Sequence, residues 1–172
     1  LPWVAGVLAN GKGAQDDIVM TVMLWRLDAD DIAGALEIAR YAMTYGLTMP
    51  TGRRPTPYLL AEEVALAAQR LLAAKQPVEL ANLLDTIALT ERADMPDIVR
   101  AKLHKITGYV LRDANQLPEA LAHLQRAIQL ERTIGVKKDI EQLERQLRPK
   151  PEPAPKTKTT KPRTRKPAAK PA

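Results

Sequence analysis

Cysteine is absent from this chain and so is phenylalanine, while aromatic residues make up only 3% of it. Without Cys there are no disulfides and no thiolate chemistry. With His104 and His123 as the only histidines, a histidine-built zinc site has too few ligands. No apolar run approaches the ~18 residues of a membrane span, and no secretory signal is visible. No segment alternates apolar and polar residues with a period of two, and Ala and Leu dominate. These features favour helices over strands and predict an all-α protein that is expected in the cytoplasm, with no metal and no cofactor.

Positive charge is plentiful but unevenly placed. Six Lys and two Arg against the single acid Glu152 give residues 149–172 a net +7, whereas the whole chain of 172 residues is +6, so residues 1–148 total −1. Seven of the 14 prolines lie in that tail, whose only apolar residues are alanines. Such a segment buries too little surface to offset the entropy of ordering its backbone. The sequence therefore predicts a helical body over residues 1–148 and a disordered Lys/Arg/Pro-rich tail over 149–172. Leu1-Pro2-Trp3 opens the chain without an initiator Met, the pattern expected where upstream residues are missing.

Along the body, helix punctuation is dense. A short amphipathic piece, 1–10, ends at Gly11-Lys12-Gly13. Asp16 and Asp17 suit the start of the next helix, because carboxylates favour its positive end. Residues 18–27 are apolar almost all the way round, which predicts burial by other helices or by another subunit, with Ile18, Val22, Met23, Trp25 and Leu27 at that core or oligomer contact. Asp28, Asp30 and Asp31 restart the chain, and Gly46 stops the helix that follows. The prolines of 48–57, with Arg53 and Arg54, read as a loop. Helices are then expected over 59–75, 78–92 and 96–113.

In the last third Val99, Leu103, Ile106 and Val110 recur at +4, +3 and +4. Pro118 opens a returning helix lined by Ala120, Leu121, Leu124, Ala127 and Ile128. Gly108-Tyr109, Glu119-Ala120-Leu121 and Ala127 look like a tetratricopeptide (TPR) unit, although spacings of roughly 40 to 46 residues between helical pairs depart from its regular period. The expected architecture is a compact bundle of antiparallel helical hairpins, TPR-like towards the C-terminus. A closing helix places Val136, Ile140, Leu143 and Leu147 on one seam, fit to cap that hairpin or to meet a neighbouring chain.

Chemistry-bearing patterns are few. Gly11-Lys12-Gly13 lacks the spacing, the Ser or Thr and the preceding strand of a phosphate loop. The acids Asp16, Asp17, Asp28, Asp30 and Asp31 could be drawn as a two-metal nuclease centre, but helix starts explain them through capping. Glu62-Glu63 and Asp94 with Asp97 receive the same reading. His104 and His123 fall off the main apolar stripe on facing helices and read as surface residues, and no catalytic triad is evident. In the tail, Lys156, Lys158, Lys161, Arg163, Arg165, Lys166 and Lys170 can neutralise phosphates and gain affinity by counterion release, so nucleic acid is its expected partner. Residues 161–167 resemble a minor-groove hook without the glycine that lets one lie deep, which leaves non-specific backbone contact. A solubilising or acid-binding arm is the alternative.

The runs Asp16-Asp17-Ile18-Val19-Met20-Thr21-Val22-Met23-Leu24-Trp25-Arg26-Leu27, Asp31-Ile32-Ala33-Gly34-Ala35-Leu36-Glu37-Ile38-Ala39 and Asp97-Ile98-Val99-Arg100-Ala101-Lys102-Leu103-His104-Lys105-Ile106-Thr107-Gly108 resemble the small terminase subunit of cohesive-end tailed phages, the gpM type. Ala122-His123-Leu124-Gln125-Arg126-Ala127 and Gly135-Val136-Lys137-Lys138 extend the likeness. The resemblance implies a subunit that binds double-stranded viral DNA at the cohesive-end site and presents it to the large, ATP-driven terminase subunit for cutting and packaging. It also implies assembly into a homo-oligomeric ring in the host cell, and a Lys-, Arg- and Ala-rich N-terminal segment expected ahead of Leu1. Family members are often called the endonuclease subunit, yet motor and nuclease motifs belong to the large subunit. A TPR-like protein-binding scaffold and a metal-dependent endonuclease subunit are the competing readings.

Overall fold

The computed structural model describes residues 1–149. Eight helices and no strand occur among them: α1 (Pro2–Asn10), α2 (Asp17–Asp28), α3 (Ile32–Tyr45), α4 (Thr56–Ala73), α5 (Leu80–Thr90), α6 (Asp97–Asp113), α7 (Leu117–Leu130) and α8 (Lys137–Leu147). The predicted tail, with the seven cations named above, lies outside the described residues. No helix among those described is long and apolar enough to cross a membrane.

Local chemistry sets the boundaries. One Asp16 carboxylate oxygen accepts from the amides of Ile18 and Val19 at 3.0 and 2.9 Å, capping α2. Asp31 caps α3 by accepting from the Gly34 amide at 2.9 Å. Gly46, at φ 69°, closes α3 in the left-handed conformation that costs glycine least. One boundary differs from expectation. Pro50 lies in the loop as read, whereas Pro55 and Pro57 open α4, because Pro57 falls in its first turn, where a missing N–H costs nothing. The buried Thr56 hydroxyl donates to the Leu47 carbonyl at 2.7 Å and fixes that start.

α2 pairs with α3, and α4 packs against α2, α3, α5 and α6. Met20, Met23, Leu27, Leu36, Ile38 and Leu60 are fully buried at the centre of this larger core. Arg70 of α4 ties the end of α2 to it, donating to the Asp30 carboxylate at 2.9 Å and to the Leu27 carbonyl at 2.8 Å. A second core lies between α6, α7 and α8.

α6 is the wall between the two cores. Its regular stripe, Val99, Leu103, Ile106 and Val110, belongs to the first core, while Ala101 and Leu111 belong to the second, with Ala120, Leu124 and Ala127 of α7. Small residues therefore hold the α6–α7 hairpin together: a Cβ added at Gly108 would stand 2.7 Å from Leu124 Cδ2. The closing seam is mostly intramolecular, since Val136 and Leu143 are buried in the second core with Ile140 packed on them, and only Leu147 faces out.

Candidate partner surfaces

The acids proposed as caps or ligands are dispersed by the fold. Asp16 and Asp31 cap helices, Asp30 pairs with Arg70 at 2.7 Å and Asp97 stands in the first turn of α6. Among the described residues, no group of three or more His, Asp or Glu is placed to hold a metal ion. Glu62 and Glu63 need a different account, because α4 begins earlier than expected and puts them too far inside it for capping. Glu62 pairs with Arg54. Glu63 has its carboxyl pushed above the usual range by burial, then by the carboxylates of Glu62 and Asp28.

The histidines are not the surface residues their sequence context suggested. Nδ1 of His104 on α6 and Nδ1 of His123 on α7 lie 3.0 Å apart in a half-buried pair. Burial, the neighbouring ring and the cations Arg126 and Arg100 push His104 down to about 4, and burial lowers His123 as well. Both rings are neutral at pH 7 and share one hydrogen bond. The sequence signal for this was the small-residue face of α6, which brings α7 close enough for the two rings to meet.

The apolar helix α2 divides by side. Val22, Met23 and Leu27 are buried within this chain, together with Val19 and Met20. Ile18 and Trp25 are not: they stand 61% and 62% exposed, on one stripe with Thr21 and Asp28 at +3, +4 and +3. Its neighbours α3 and α4 cover only the opposite side. Asp17 and Asp28 edge this stripe, and neither has an ion-pair partner among the described residues.

On another part of the surface a cleft of about 570 Å³ runs between α4 and α6. Leu66, Leu72, Ala73, Ile106, Tyr109 and Ile134 give it apolar walls, and Lys102, Lys105 and Arg112 a basic rim. The Tyr109 ring is its centrepiece. Arg112 lies 4.8 Å from the ring centroid and Lys105 5.9 Å, while the phenol donates to Asp139 at 3.0 Å. Burial and that hydrogen bond push the phenol up to about 12. Lys105 also donates to the Ile134 carbonyl at 2.8 Å, so the loop before α8 closes one end of the cleft. The sequence reading missed this feature, although Lys102, Lys105, Tyr109 and Arg112 at +3, +4 and +3 mark a second stripe beside the apolar one.

Charge also divides along the chain. Residues 1–96 carry eight Lys or Arg against twelve Asp or Glu, a net −4, and residues 97–148 carry ten against seven, a net +3.

Residues 1–98, which contain α1 to α5 and the exposed α2 stripe, match the phage small terminase subunit family. The chain belongs to that family. A further relative of this small terminase subunit is the "Terminase, endonuclease subunit" of Escherichia phage P2, 66% identical over 164 residues. The alignment takes in 95% of this chain and 66% of the P2 protein, so the chain spans just under two thirds of that relative's length. It reaches past α5 into the α6–α8 unit and the cleft. No solved structure matches this terminase chain.

Proposed function

We propose that this small terminase subunit is a packaging adaptor: it binds double-stranded viral DNA at the cohesive-end site and presents it to the large terminase subunit for cleavage, in the host cytoplasm. The observation that carries this reading is the 66% identity to a phage P2 terminase subunit over nearly the whole chain. The helical body serves as the assembling scaffold, a homo-oligomeric ring, with the exposed stripe of α2 available for contacts between copies. Its net charge of −1 leaves the hold on phosphate to the tail, where Lys156, Lys158, Lys161, Arg163, Arg165, Lys166 and Lys170 act by counterion release. A TPR-like hairpin, α6 with α7, suits the protein-binding part of the same task. DNA cleavage is assigned to the large subunit, because Asp16 and Asp31 of this chain are occupied as helix caps and Asp30 and Glu62 as Arg partners.

The test is the salt dependence of DNA binding. Seven phosphate contacts correspond to a slope of log K against log salt of about −6. Removing residues 150–172 is expected to flatten most of that slope. An unchanged slope overturns the tail's role, and nicking of cohesive-end DNA by this chain alone with Mg²⁺ overturns its role as a non-cleaving subunit.

A further inference from the structure

Among the described residues, the Ile18–Trp25 stripe of α2 and the cleft between α4 and α6 are two apolar surfaces without a cover. They share no residue. We infer that they cover each other between copies, so that the α2 stripe of one chain docks in the α4–α6 cleft of the next. The inference rests on the homo-oligomer reading above and deepens it by naming both halves of the interface.

Dimensions agree first. Ile18 and Trp25 are seven residues apart, about 10 Å along a helix at 1.5 Å per residue. The α4 wall runs from Ala65 to Ala73 and the α6 wall from Lys102 to Asp113, so each is long enough to take both anchors. A helix laid in a groove between two others presents anchors at this kind of spacing. Leu66, 38% exposed, is the large apolar residue the cleft leaves most open.

Charge agrees as well. Asp17 and Asp28 edge the stripe about 16 Å apart along α2, and Lys102 and Arg112 edge the cleft about 15 Å apart along α6. Lys102 has no ion-pair partner among the described residues, and Arg112 shares itself between Asp113 and Asp139 at 3.1 and 3.6 Å. The charged residues lining the cleft, Lys102, Lys105 and Arg112 against Asp113, leave it net positive, which favours contact with the acid-edged stripe of another copy and penalises contact of cleft with cleft. The apolar walls and the already covered Tyr109 ring favour a helix over a nucleic acid strand as the occupant. Because different patches meet, each copy keeps one free half, and assembly continues until rotation closes it.

The experiment uses three full-length chains, wild type, Trp25→Glu and Leu66→Glu, with mass measured by light scattering across a concentration series. Both substituted positions are exposed, and circular dichroism checks that each variant keeps its helices. Wild type is expected to assemble. Each variant alone is expected to raise the concentration of half-assembly by about thirtyfold or more, the effect of losing a central anchor. Mixed one to one, the variants are expected to form a species of twice the 19.0 kDa of one chain and to stop there, since Trp25→Glu keeps its cleft and Leu66→Glu keeps its stripe. Assembly of either variant like wild type, or a mixture that stays monomeric, overturns the inference and leaves the oligomer reading standing. A wild type that is monomeric at every concentration overturns both.

Discussion

Nδ1 of His104 lies 3.0 Å from Nδ1 of His123, which is a hydrogen bond only if one ring carries the proton there and the other does not. The pair is therefore a test of the α6–α7 contact as well as a product of it. Folding lowers both pKa values, His104 to about 4, so the stability the neutral pair contributes is fully present above pH 6.5, the ordinary histidine value. It is lost as pH falls from there towards 4, because the unfolded chain binds protons first. Urea midpoints measured from pH 8 to pH 4 are expected to stay flat and then fall below about 6.5. Replacing both rings, His104→Gln with His123→Gln, is expected to remove that part of the slope while carboxylate effects nearer pH 4 remain.

A second prediction concerns close approach. A Cβ at position 108 would stand 2.7 Å from Leu124 Cδ2 and 3.3 Å from the Ala120 carbonyl oxygen. Gly108→Ala is expected to cost about 1–3 kcal/mol by overpacking, despite the better helix propensity of alanine. Leu124→Ala alone costs about 2–5 kcal/mol by leaving a cavity. The double variant is expected to be more stable than the sum of the two losses predicts, because each change makes room for the other. Strict additivity in urea unfolding would contradict this packing.

Third, α8 divides into a buried and an exposed end. Leu143 is 1% exposed and Leu147 37%. Leu143→Ala is expected to destabilise by about 2–5 kcal/mol, and Leu147→Ala by less than about 0.5 kcal/mol. Equal effects of the two would mean that the seam packs against another chain along its whole length and is not a cap.

Helix content was legible from local signals. Asp16, Asp31 and Gly46 mark boundaries that the fold keeps, because caps and left-handed turns depend on a few residues and their own backbone. Only Pro55 and Pro57 misled. Their chemistry fits a loop and a first helical turn equally well, and the deciding contact, Thr56 to the Leu47 carbonyl, joins residues nine positions apart. The candidate surfaces were less legible. Trp25 and Met23 are both apolar and two positions apart on α2, yet one stands 62% exposed and the other is fully buried. No composition rule separates them, since the difference lies in where α3 and α4 happen to pack.

From residues alone came an all-helical chain, its family resemblance, and the concentration of positive charge in its last 24 residues. Periodicity, capping and charge are properties of short segments, so they survive without knowledge of the fold. Tertiary structure decided that α6 faces two cores at once, that His104 meets His123 and that Lys102, Tyr109 and Arg112 border a cleft with α4. Each of these depends on which helix lies against which, and packing is settled by the fit of whole surfaces distant in sequence. The apolar side of α2 was visible in the sequence; which part of it this chain leaves uncovered was not.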